Sequence, residues 1–310
     1  MNARVRNRFD PVDGLLLLNK PAGLTSNQAL QRVKRLLNAR KGGHTGALDP
    51  AATGMLPLCF GEATKVCSYL LDADKTYRVS VRLGIATDTG DADGREIEHA
   101  DIPALSAEQW HAALQDFVGE QMQVPPMYSA LKKDGQRLYE LARKGQTVPR
   151  EPRRIEVYQI ELLEVAGSRL VFRVSCSKGT YIRVLVEDIA RARGTVAHTA
   201  RLHREVVGDF SAEAMLDLST MESTAANGVE ALREYLIAPD RALTGLPEVQ
   251  LSSCAGERFR AGQVIPVDGP AVEGLVRVYA GAETFLGVGE LSASGRLAPR
   301  RVFSTGEKNS

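Results

Sequence analysis

The sequence has few cysteines and no cysteine motif. Four occur among 310 residues, and no two of them form a CxxC pair. Zinc knuckles need cysteines paired at short spacing, and disulfide scaffolds need many cysteines in a short chain, so both classes are excluded. The four cysteines stand among apolar neighbours, which predicts buried free thiols at Cys59, Cys67, Cys176 and Cys254.

A long apolar run and an excess of one charge are also missing. The apolar run after the polar amino terminus, Leu15 to Leu18, is far shorter than the roughly 18 residues of a membrane span. We therefore expect a soluble, cytoplasmic protein that does not bind membranes. Lys and Arg number 39 against 38 Asp and Glu, a net charge of +1, so any attraction for a polyanion must be local.

What the chain does contain is typical of a folded protein with a sizeable core. Hydrophobic residues make up 44% and charged residues 25% of the sequence, close to the averages for soluble globular domains. A GxGxxG motif and repeated strand-helix-strand units are absent, which disfavours a doubly wound dinucleotide-binding domain. Strands mixed irregularly with helices predict an α+β fold.

Hydrophobic spacing predicts the main elements. Residues 14–19 have the composition of a short buried strand, and residues 75–83 and 170–177 alternate between apolar and polar side chains, which indicates two more strands. Apolar residues at helical spacing follow Ser26, which we expect to cap that helix, and a second amphipathic helix begins at Ile182.

The carboxyl-terminal part changes character near Pro247. Its short apolar runs, LVRVYA, TFLGVGEL and RVFS, are separated by Gly and Asp, and no helical spacing follows Arg260. We therefore expect two domains, an α+β domain over residues 1–245 and a small β domain over residues 246–310.

The even charge balance hides a segregation along the chain. Residues 132–154 hold eight basic and three acidic residues, and residues 169–204 hold eight basic and two acidic residues, whereas residues 84–120 hold one basic and nine acidic residues. Either basic run alone could be a solvated face. Two such runs beside separate strand and helix motifs favour a surface that contacts phosphates.

One glycine-rich segment has the composition of a functional loop. GHTGALDPAATG, residues 43–54, presents Asp49 between Leu48 and Pro50, and we expect the loop to continue to Lys65. Pro50 disfavours the α conformation at Asp49, so the carboxylate should project from extended backbone. The segment lacks the GK pair of a Walker loop. An Asp-Pro pair most often forms a simple turn, so spacing alone does not make Asp49 a nucleophile.

A second acidic segment, TDTGDADG at residues 87–94, invites comparison with calcium-binding loops. In the EF-hand register Thr89 would fill the first ligand position and Ala100 the twelfth, and both should be carboxylates. A polar surface turn is therefore the better interpretation, and we predict no metal site.

Five segments between Asn19 and Ala190 follow one another in the order of a known family's motifs. They are NKPAGLTS at 19–26, GHTGALDPAATGMLPLCFGEATK at 43–65, KTYRVSVRLGIATDTGDADG at 75–94, PPMYSALKKDGQRLYELARKG at 125–145 and SCSKGTYIRVLVEDIA at 175–190. With them, the chain resembles the TruB family of tRNA pseudouridine synthases. The carboxyl-terminal segment resembles, less specifically, the small PUA-like RNA-binding domain of bacterial members.

The resemblance implies a pseudouridine synthase fold with a mixed, largely antiparallel central sheet, and isomerisation of uridine-55 in the T loop of tRNA. The bond from C1′ to N1 is broken, the uracil turns, and a bond from C1′ to C5 is made, with no cofactor. By motif, Asp49 is the nucleophile, and whether it attacks the base or C1′ stays open. Arg183 matches the arginine that pairs with this aspartate and favours its ionised form. Tyr77 matches the tyrosine that stacks on the base and takes part in removing the C5 proton.

The same resemblance implies the substrate-binding residues. The target base must leave its stack to react, and His44 matches the histidine that fills the vacated space. Tyr181 and Leu202 match positions of the base pocket, and Lys20 and Pro21 belong to the NKP motif that supports the site. The implied partner is tRNA, bound through its T arm, and we expect a monomeric protein.

Two other classes of function stay open. A non-catalytic module that binds or folds RNA would keep the same fold and charge pattern, and its effect on tRNA refolding would survive the loss of Asp49. A glycosidase would need two carboxylates about 5 to 10 Å apart around a sugar bond. The sequence offers no second loop carboxylate in a comparable context, and release of free uracil from tRNA would favour that alternative.

Overall fold

A mixed sheet forms the centre of the molecule. The computed structural model describes residues 9–267, 272–281 and 284–304, and nine strands of these residues form one sheet. In order across the sheet they are β13 (Leu216–Asp217), β1 (Gly14–Lys20), β3 (Thr53–Phe60), β12 (Ala197–Val207), β4 (Lys75–Leu83), β11 (Arg169–Cys176), β10 (Arg153–Ala166) and β7 (Gly119–Gln123), with β2 (Gly42–His44) paired to β3. The pairs β1–β13 and β3–β12 are parallel and the others antiparallel.

The described part of the chain contains eight α-helices. They are α1 (Ser26–Leu36), α2 (Cys67–Asp72), α3 (Ala107–Gln115), α4 (Leu138–Arg143), α5 (Ile182–Arg191), α6 (Leu218–Ala226), α7 (Val229–Arg233) and α8 (Ser253–Arg260), with 3-10 helices at Gly61–Val66, Ala212–Ala214 and Pro239–Leu243. None of the helices within these residues is both long and apolar enough to cross a membrane.

Alternation along the strands explains which face of the sheet is covered. Along β4 the apolar side chains are buried, whereas Arg78 and Arg82 between them are exposed. The buried side chains of β4 and β11 pack with α3 and α5 in one core. Leucines of β1 and β3 pack with α1 and α6 in a second core. β4 therefore packs against the first core and β3 against the second, and the candidate site lies where these two strands flank β12.

Two short hairpins extend from the main sheet. One joins β5 (Ile85–Thr87) to β6 (Glu96–His99), and the other joins β8 (Lys132–Lys133) to β9 (Gln136–Arg137). The turn of the second hairpin is Asp134–Gly135, where both residues have positive φ (51° and 82°). This Asp-Gly pair has the sequence and backbone that a two-residue type I′ turn requires.

The carboxyl-terminal residues form a second, five-stranded sheet. Its order is β14 (Glu248–Leu251), β16 (Gly274–Ala280), β17 (Thr284–Leu291), β18 (Arg296–Val302) and β15 (Ile265–Pro266), and Phe259 of α8 is buried in its core. A separate cluster, Val66, Leu243, Val288 and Phe303, joins this sheet to the rest of the protein. The Ser304 N–H also donates to Glu62 (2.9 Å).

The predicted fold class and the predicted strands and helices are confirmed, with three corrections. The expected loop of residues 43–65 contains β3 and a 3-10 helix, because the apolar run after Thr53 is buried between two cores. The cap of α1 is Thr25 rather than Ser26, since the Thr25 hydroxyl accepts the Gln28 N–H. Of the four thiols predicted to be buried, Cys59 and Cys176 are buried, Cys67 is partly exposed, and Cys254 in α8 is exposed.

Candidate active site

The backbone on both sides of Asp49 is held by buried side chains. Asp49 lies in the loop between β2 and β3. The Ser26 hydroxyl accepts the Leu48 N–H (2.8 Å) and donates to the Leu48 carbonyl (3.1 Å). The Lys20 ammonium, which is fully buried, donates to the Pro50 carbonyl (3.2 Å) and to the carbonyls of Pro21 (2.9 Å) and Leu24 (2.7 Å). The start of α1 and the end of β1 thus fix the position of this carboxylate.

A buried arginine pairs with Asp49. Arg183, the second residue of α5, has a side chain only 7% exposed, and its Nη2 lies 3.2 Å from Asp49 Oδ2. Its Nη1 lies 3.6 Å from Asp91 Oδ2. The same guanidinium donates to the carbonyls of Thr89 (2.8 Å) and Tyr128 (2.7 Å). With contacts from three separate segments, the guanidinium has a single orientation, and it faces two carboxylates.

The start of α5 is fixed by a side chain from another strand. Tyr181 is the cap residue of α5, but its own side chain makes no capping hydrogen bond. Instead, the buried Gln123 side chain at the end of β7 accepts the Tyr181 N–H (2.7 Å) and donates to the Tyr181 carbonyl (3.1 Å). The first of these bonds satisfies a backbone N–H that a helix start leaves open, and the pair fixes the backbone two residues before Arg183.

Burial and neighbouring charges act in opposite directions on Asp49. Burial raises the pKa of the Asp49 carboxyl, Arg183 lowers it, and Asp91 raises it again. The predicted effect of Arg183 is therefore present, but burial outweighs it. The side chain remains 47% exposed, which leaves a path for a substrate to reach the carboxylate.

The other predicted residues have environments that suit their predicted roles to different degrees. Burial raises the pKa of Tyr77, while Arg204 lowers it. Burial lowers the pKa of Lys20 to about 8, and Asp49 opposes this shift. His44 in β2 has a pKa lowered by burial, and its Nδ1 is buried without a hydrogen-bond partner among the described residues.

A small cavity of about 30 Å³ opens beside the ion pair. Its lining brings together Asp49, Arg183 and Leu202, with Asp91 and Arg201, and does not include the predicted residues Lys20, His44, Tyr77 or Tyr181. A wider groove of about 460 Å³ runs past Lys20 and His203 but does not reach Asp49.

Comparisons with known proteins show which family the chain resembles over its whole length. The pattern of the TruB family pseudouridylate synthase N-terminal domain matches residues 34–182, and that of the pseudouridine synthase II TruB C-terminal domain matches residues 247–303. A "tRNA pseudouridine synthase B" of Chromohalobacter salexigens is 50% identical over 97% of this chain and 97% of its own length. The chain belongs to the TruB family.

Two further similarities support the assignment to the TruB family. A "tRNA pseudouridine synthase B" of Stutzerimonas stutzeri is 48% identical over 97% of this chain and 99% of its own length. The crystal structure of a Cbf5-Nop10-Gar1 complex contains a chain with a TM-score of 0.75 and 26% identity, and the match covers 98% of this chain and 91% of that one.

Three residues of this TruB family site were missed by the sequence analysis. Asp91 belongs to the turn interpreted as a polar surface turn, yet its side chain is only 16% exposed and faces Arg183. Gln123 and Arg204 had no assigned role. The third motif, residues 75–94, contains Asp91 and could have indicated it. Gln123 and Arg204 lie outside the five motifs and only the tertiary structure places them.

The first basic segment forms an exposed cationic unit. Lys132, Arg137 and Arg143 are exposed on the β8–β9 hairpin and α4. The guanidinium groups of Arg137 and Arg143 lie 5.8 and 5.5 Å from the ring centroid of Tyr139. The hairpin follows directly on Tyr128, whose carbonyl binds Arg183, so it is connected to the site through one short segment.

The second basic segment differs from the first in how its charges are paired. Arg183 and Arg204 are buried. The residues of this segment that form ion pairs with acidic side chains at the surface are Arg169, Arg173, Lys178, Arg191 and Arg193. That both basic segments contact phosphates stays a prediction.

Proposed function

We propose that this protein is a tRNA pseudouridine synthase that converts uridine-55 in the T loop to pseudouridine, with Asp49 as nucleophile. One observation carries the proposal: a partly exposed Asp49, on a loop anchored at both neighbours, is paired with a buried Arg183 at 3.2 Å. Family membership and relatives named tRNA pseudouridine synthase B support the reaction and the substrate class.

The reaction needs no redox chemistry, because the product is an isomer of the substrate. It does need a nucleophile or anion, and an ionised aspartate is sufficient. Arg183 favours the ionised form of Asp49 against the effect of burial. In the proposed site Leu202 and Tyr181 hold the turned-out base, Tyr77 stacks on it, and His44 fills the space it leaves in the loop. Tyr77 also takes part in the removal of the C5 proton. Lys20 supports the Asp49 loop.

The charge distribution suggests how the RNA binds. The cationic β8–β9 hairpin and α4 would contact phosphates of the T arm, close to the segment that holds Arg183. In this proposal residues 1–245 are the catalytic domain and residues 246–310 a PUA-like RNA-binding domain. The protein would act as a cytoplasmic monomer, because the substrate is a soluble RNA and one chain supplies the whole site.

The test is mass-resolved nucleoside analysis of unmodified tRNA after incubation with purified protein and no added cofactor. Wild-type protein should produce pseudouridine at the T-loop uridine. Asp49→Asn should lower the single-turnover rate by more than about a thousandfold while the Kd for tRNA stays within about threefold. Retained activity above that level would contradict the role of Asp49.

The same experiment separates the two alternatives. Free uracil released from the tRNA, with no pseudouridine, would favour a glycosidase. Binding of tRNA without any base product, together with equal tRNA refolding by wild-type protein and Asp49→Asn, would favour an RNA-folding module.

A further inference from the structure

Arg204 is the most deeply buried cation next to the candidate site, apart from Lys20. It lies in β12 with 1% of its surface exposed. In the central sheet β12 lies between β3 and β4, and the residues directly opposite Arg204 are Gly54 in β3 and Tyr77 in β4. Directly opposite residues on neighbouring antiparallel strands have adjacent side chains, so the guanidinium belongs beside the Tyr77 ring.

The guanidinium also ties together the two ends of the Asp49 loop. Its Nε donates to the Met55 carbonyl (2.7 Å) and its Nη2 donates to the Gly46 carbonyl (2.8 Å). Two glycines make this approach possible. A Cβ at Gly46 would lie 3.2 Å from Arg204 Nη1, and one at Gly54 would lie 2.3 Å from the Arg204 carbonyl oxygen. Both glycines have positive φ, 68° and 98°.

No carboxylate lies within ion-pair distance of this guanidinium in the ranges that the structure describes, although Asp49 and Asp91 both pair with Arg183. A buried charge without a counter-charge is costly. The neighbouring titratable groups do not supply a counter-charge. Burial lowers the pKa values of Lys20, Lys75 and His44 most, and the charge of Arg204 lowers them further. A site with such an excess of positive charge is suited to a negative charge that forms during the reaction.

Tyr77 is the group on which that negative charge can form. Three titratable groups act on its hydroxyl besides burial: Arg204 from β12, the Cys176 thiol from β11 and Asp49 from the loop. Burial raises the pKa of Tyr77, Arg204 lowers it, and Cys176 and Asp49 raise it. Arg204 is thus the one cation of this set that favours the phenolate.

We propose that Arg204 is a positioning residue of the isomerisation, which fixes the Asp49 loop and stabilises Tyr77 as the phenolate that accepts the C5 proton. The inference rests on the proposed function. In the step, the C5–H electron pair returns to the uracil ring, the proton passes to the phenolate oxygen, and Arg204 keeps its own protons. The proton lost at C5 is balanced by one gained at N1, because the overall reaction is an isomerisation.

The experiment compares Arg204→Gln and Arg204→Lys with a matched control, Arg82→Gln, an exposed arginine in the same sheet. Single-turnover rates on unmodified tRNA are measured against pH at saturating enzyme, together with the Kd for tRNA. Tyr77→Phe identifies the limb of the pH profile that depends on the phenol. Arg204→Gln should lower the rate at neutral pH at least about tenfold, move that limb up by about one pH unit or more, and leave the Kd within about threefold.

Arg204→Lys keeps the charge and should keep the limb within about half a pH unit of wild type, even where lost loop bonds lower the rate. A limb that stays in place in Arg204→Gln would overturn the proposal, as would the same shift in Arg82→Gln.

If Arg204→Gln does not fold, NMR titration of carbon-labelled tyrosine in Arg204→Lys and in wild type reports the Tyr77 pKa directly. A Tyr77 pKa that is more than one unit higher in Arg204→Lys than in wild type would also overturn the proposal. Absence of pseudouridine with wild-type protein would instead contradict the proposed function.

Discussion

At the scale of single residues, the site depends on one guanidinium between two carboxylates. Arg183 contacts Asp49 at 3.2 Å and Asp91 at 3.6 Å, so its charge is shared. Arg183 lowers the pKa of Asp49 and Asp91 raises it. These contacts therefore determine both the position of the Asp49 carboxylate and how readily it loses its proton.

We predict opposite effects on the acid limb of the rate profile for two variants of this cluster. In the proposed mechanism Asp49 acts in its ionised form, so the rate should fall as pH falls through its pKa, which burial has raised. Arg183→Met removes the group that lowers this pKa and should move the limb to higher pH. Asp91→Asn removes a group that raises it and should move the limb to lower pH. Single-turnover rates on unmodified tRNA, measured across the acid range, check both shifts.

Asp91→Asn also removes a contact of Arg183. The maximal rate of this variant should therefore fall, while the acid limb of its rate profile moves to lower pH. Arg183→Lys keeps a charge and should shift the limb less than Arg183→Met does. If Arg183→Met and Asp91→Asn moved the limb in the same direction, charge would not be the cause.

At the scale of secondary structure elements, α1 serves the site through its first residue. Thr25 caps the helix, whereas the adjacent Ser26 turns its hydroxyl inward to both backbone groups of Leu48. The Thr25 hydroxyl thus stabilises the start of α1, whereas the Ser26 hydroxyl holds the backbone of the Asp49 loop.

We predict that alanine substitutions separate these tasks. Thr25→Ala should lower the free energy of unfolding by about 1 kcal/mol through loss of the cap and leave the single-turnover rate unchanged. Ser26→Ala should cost about 2 kcal/mol because the buried Leu48 N–H loses its partner, and it should also lower the rate. Denaturant unfolding and single-turnover kinetics measure both quantities. Equal rates in the two variants would mean that the Leu48 anchor does not position Asp49.

The β8–β9 hairpin and α4 form the element that we expect to contact RNA. Lys132→Gln with Arg143→Gln should weaken tRNA binding and flatten the plot of log K against log salt by about 1.5, since each lost phosphate contact removes about 0.7 to 0.9 from the slope. Binding isotherms at several salt concentrations measure this. Arg169→Gln is the matched control, because that arginine is already paired with Glu164. An unchanged slope in the double variant would place the RNA elsewhere.

At the scale of the whole molecule, the two sheets are joined by a small apolar cluster. Val66 and Leu243 meet Val288 and Phe303 there, and the Lys65 ammonium lies 5.5 Å from the Phe303 ring. The segment that carries Val66 follows β3 directly. The second sheet is therefore docked on the chain that leads away from the Asp49 loop.

We predict that Phe303→Ala lowers the free energy of unfolding by about 3 kcal/mol, because Phe303 is 5% exposed and its removal leaves a cavity. The single-turnover rate at saturating tRNA should stay near wild type, since the Asp49 and Arg183 contacts are made within the first sheet's region. Phe9→Ala, at a residue 52% exposed, should change stability by less than about 0.5 kcal/mol. If folded Phe303→Ala protein reacted more slowly than wild type, the contact between the two sheets would influence the geometry of the site.

Much of the fold could be predicted from local patterns. β4 coincides with the alternating residues 75–83, and α5 begins where its apolar spacing begins. The sequence pattern does not predict β3. A strand buried on both faces shows no alternation of apolar and polar residues, and this one starts among glycines. The cap of α1 was misplaced by one residue because Thr25 and Ser26 are both good capping residues, and only packing decides which hydroxyl turns inward.

For the site, the motifs by themselves determined the family, the loop that carries Asp49 and the pairing partner Arg183, because a reaction constrains residue types at fixed local spacing. The tertiary structure alone decided that Asp91 faces Arg183, that Gln123 holds the start of α5, and that Arg204 stands between Gly54 and Tyr77. Those contacts join residues far apart in the chain. Local sequence patterns do not predict such contacts. The contacts depend on the strand order and register of the sheet, which are established only when the whole chain packs.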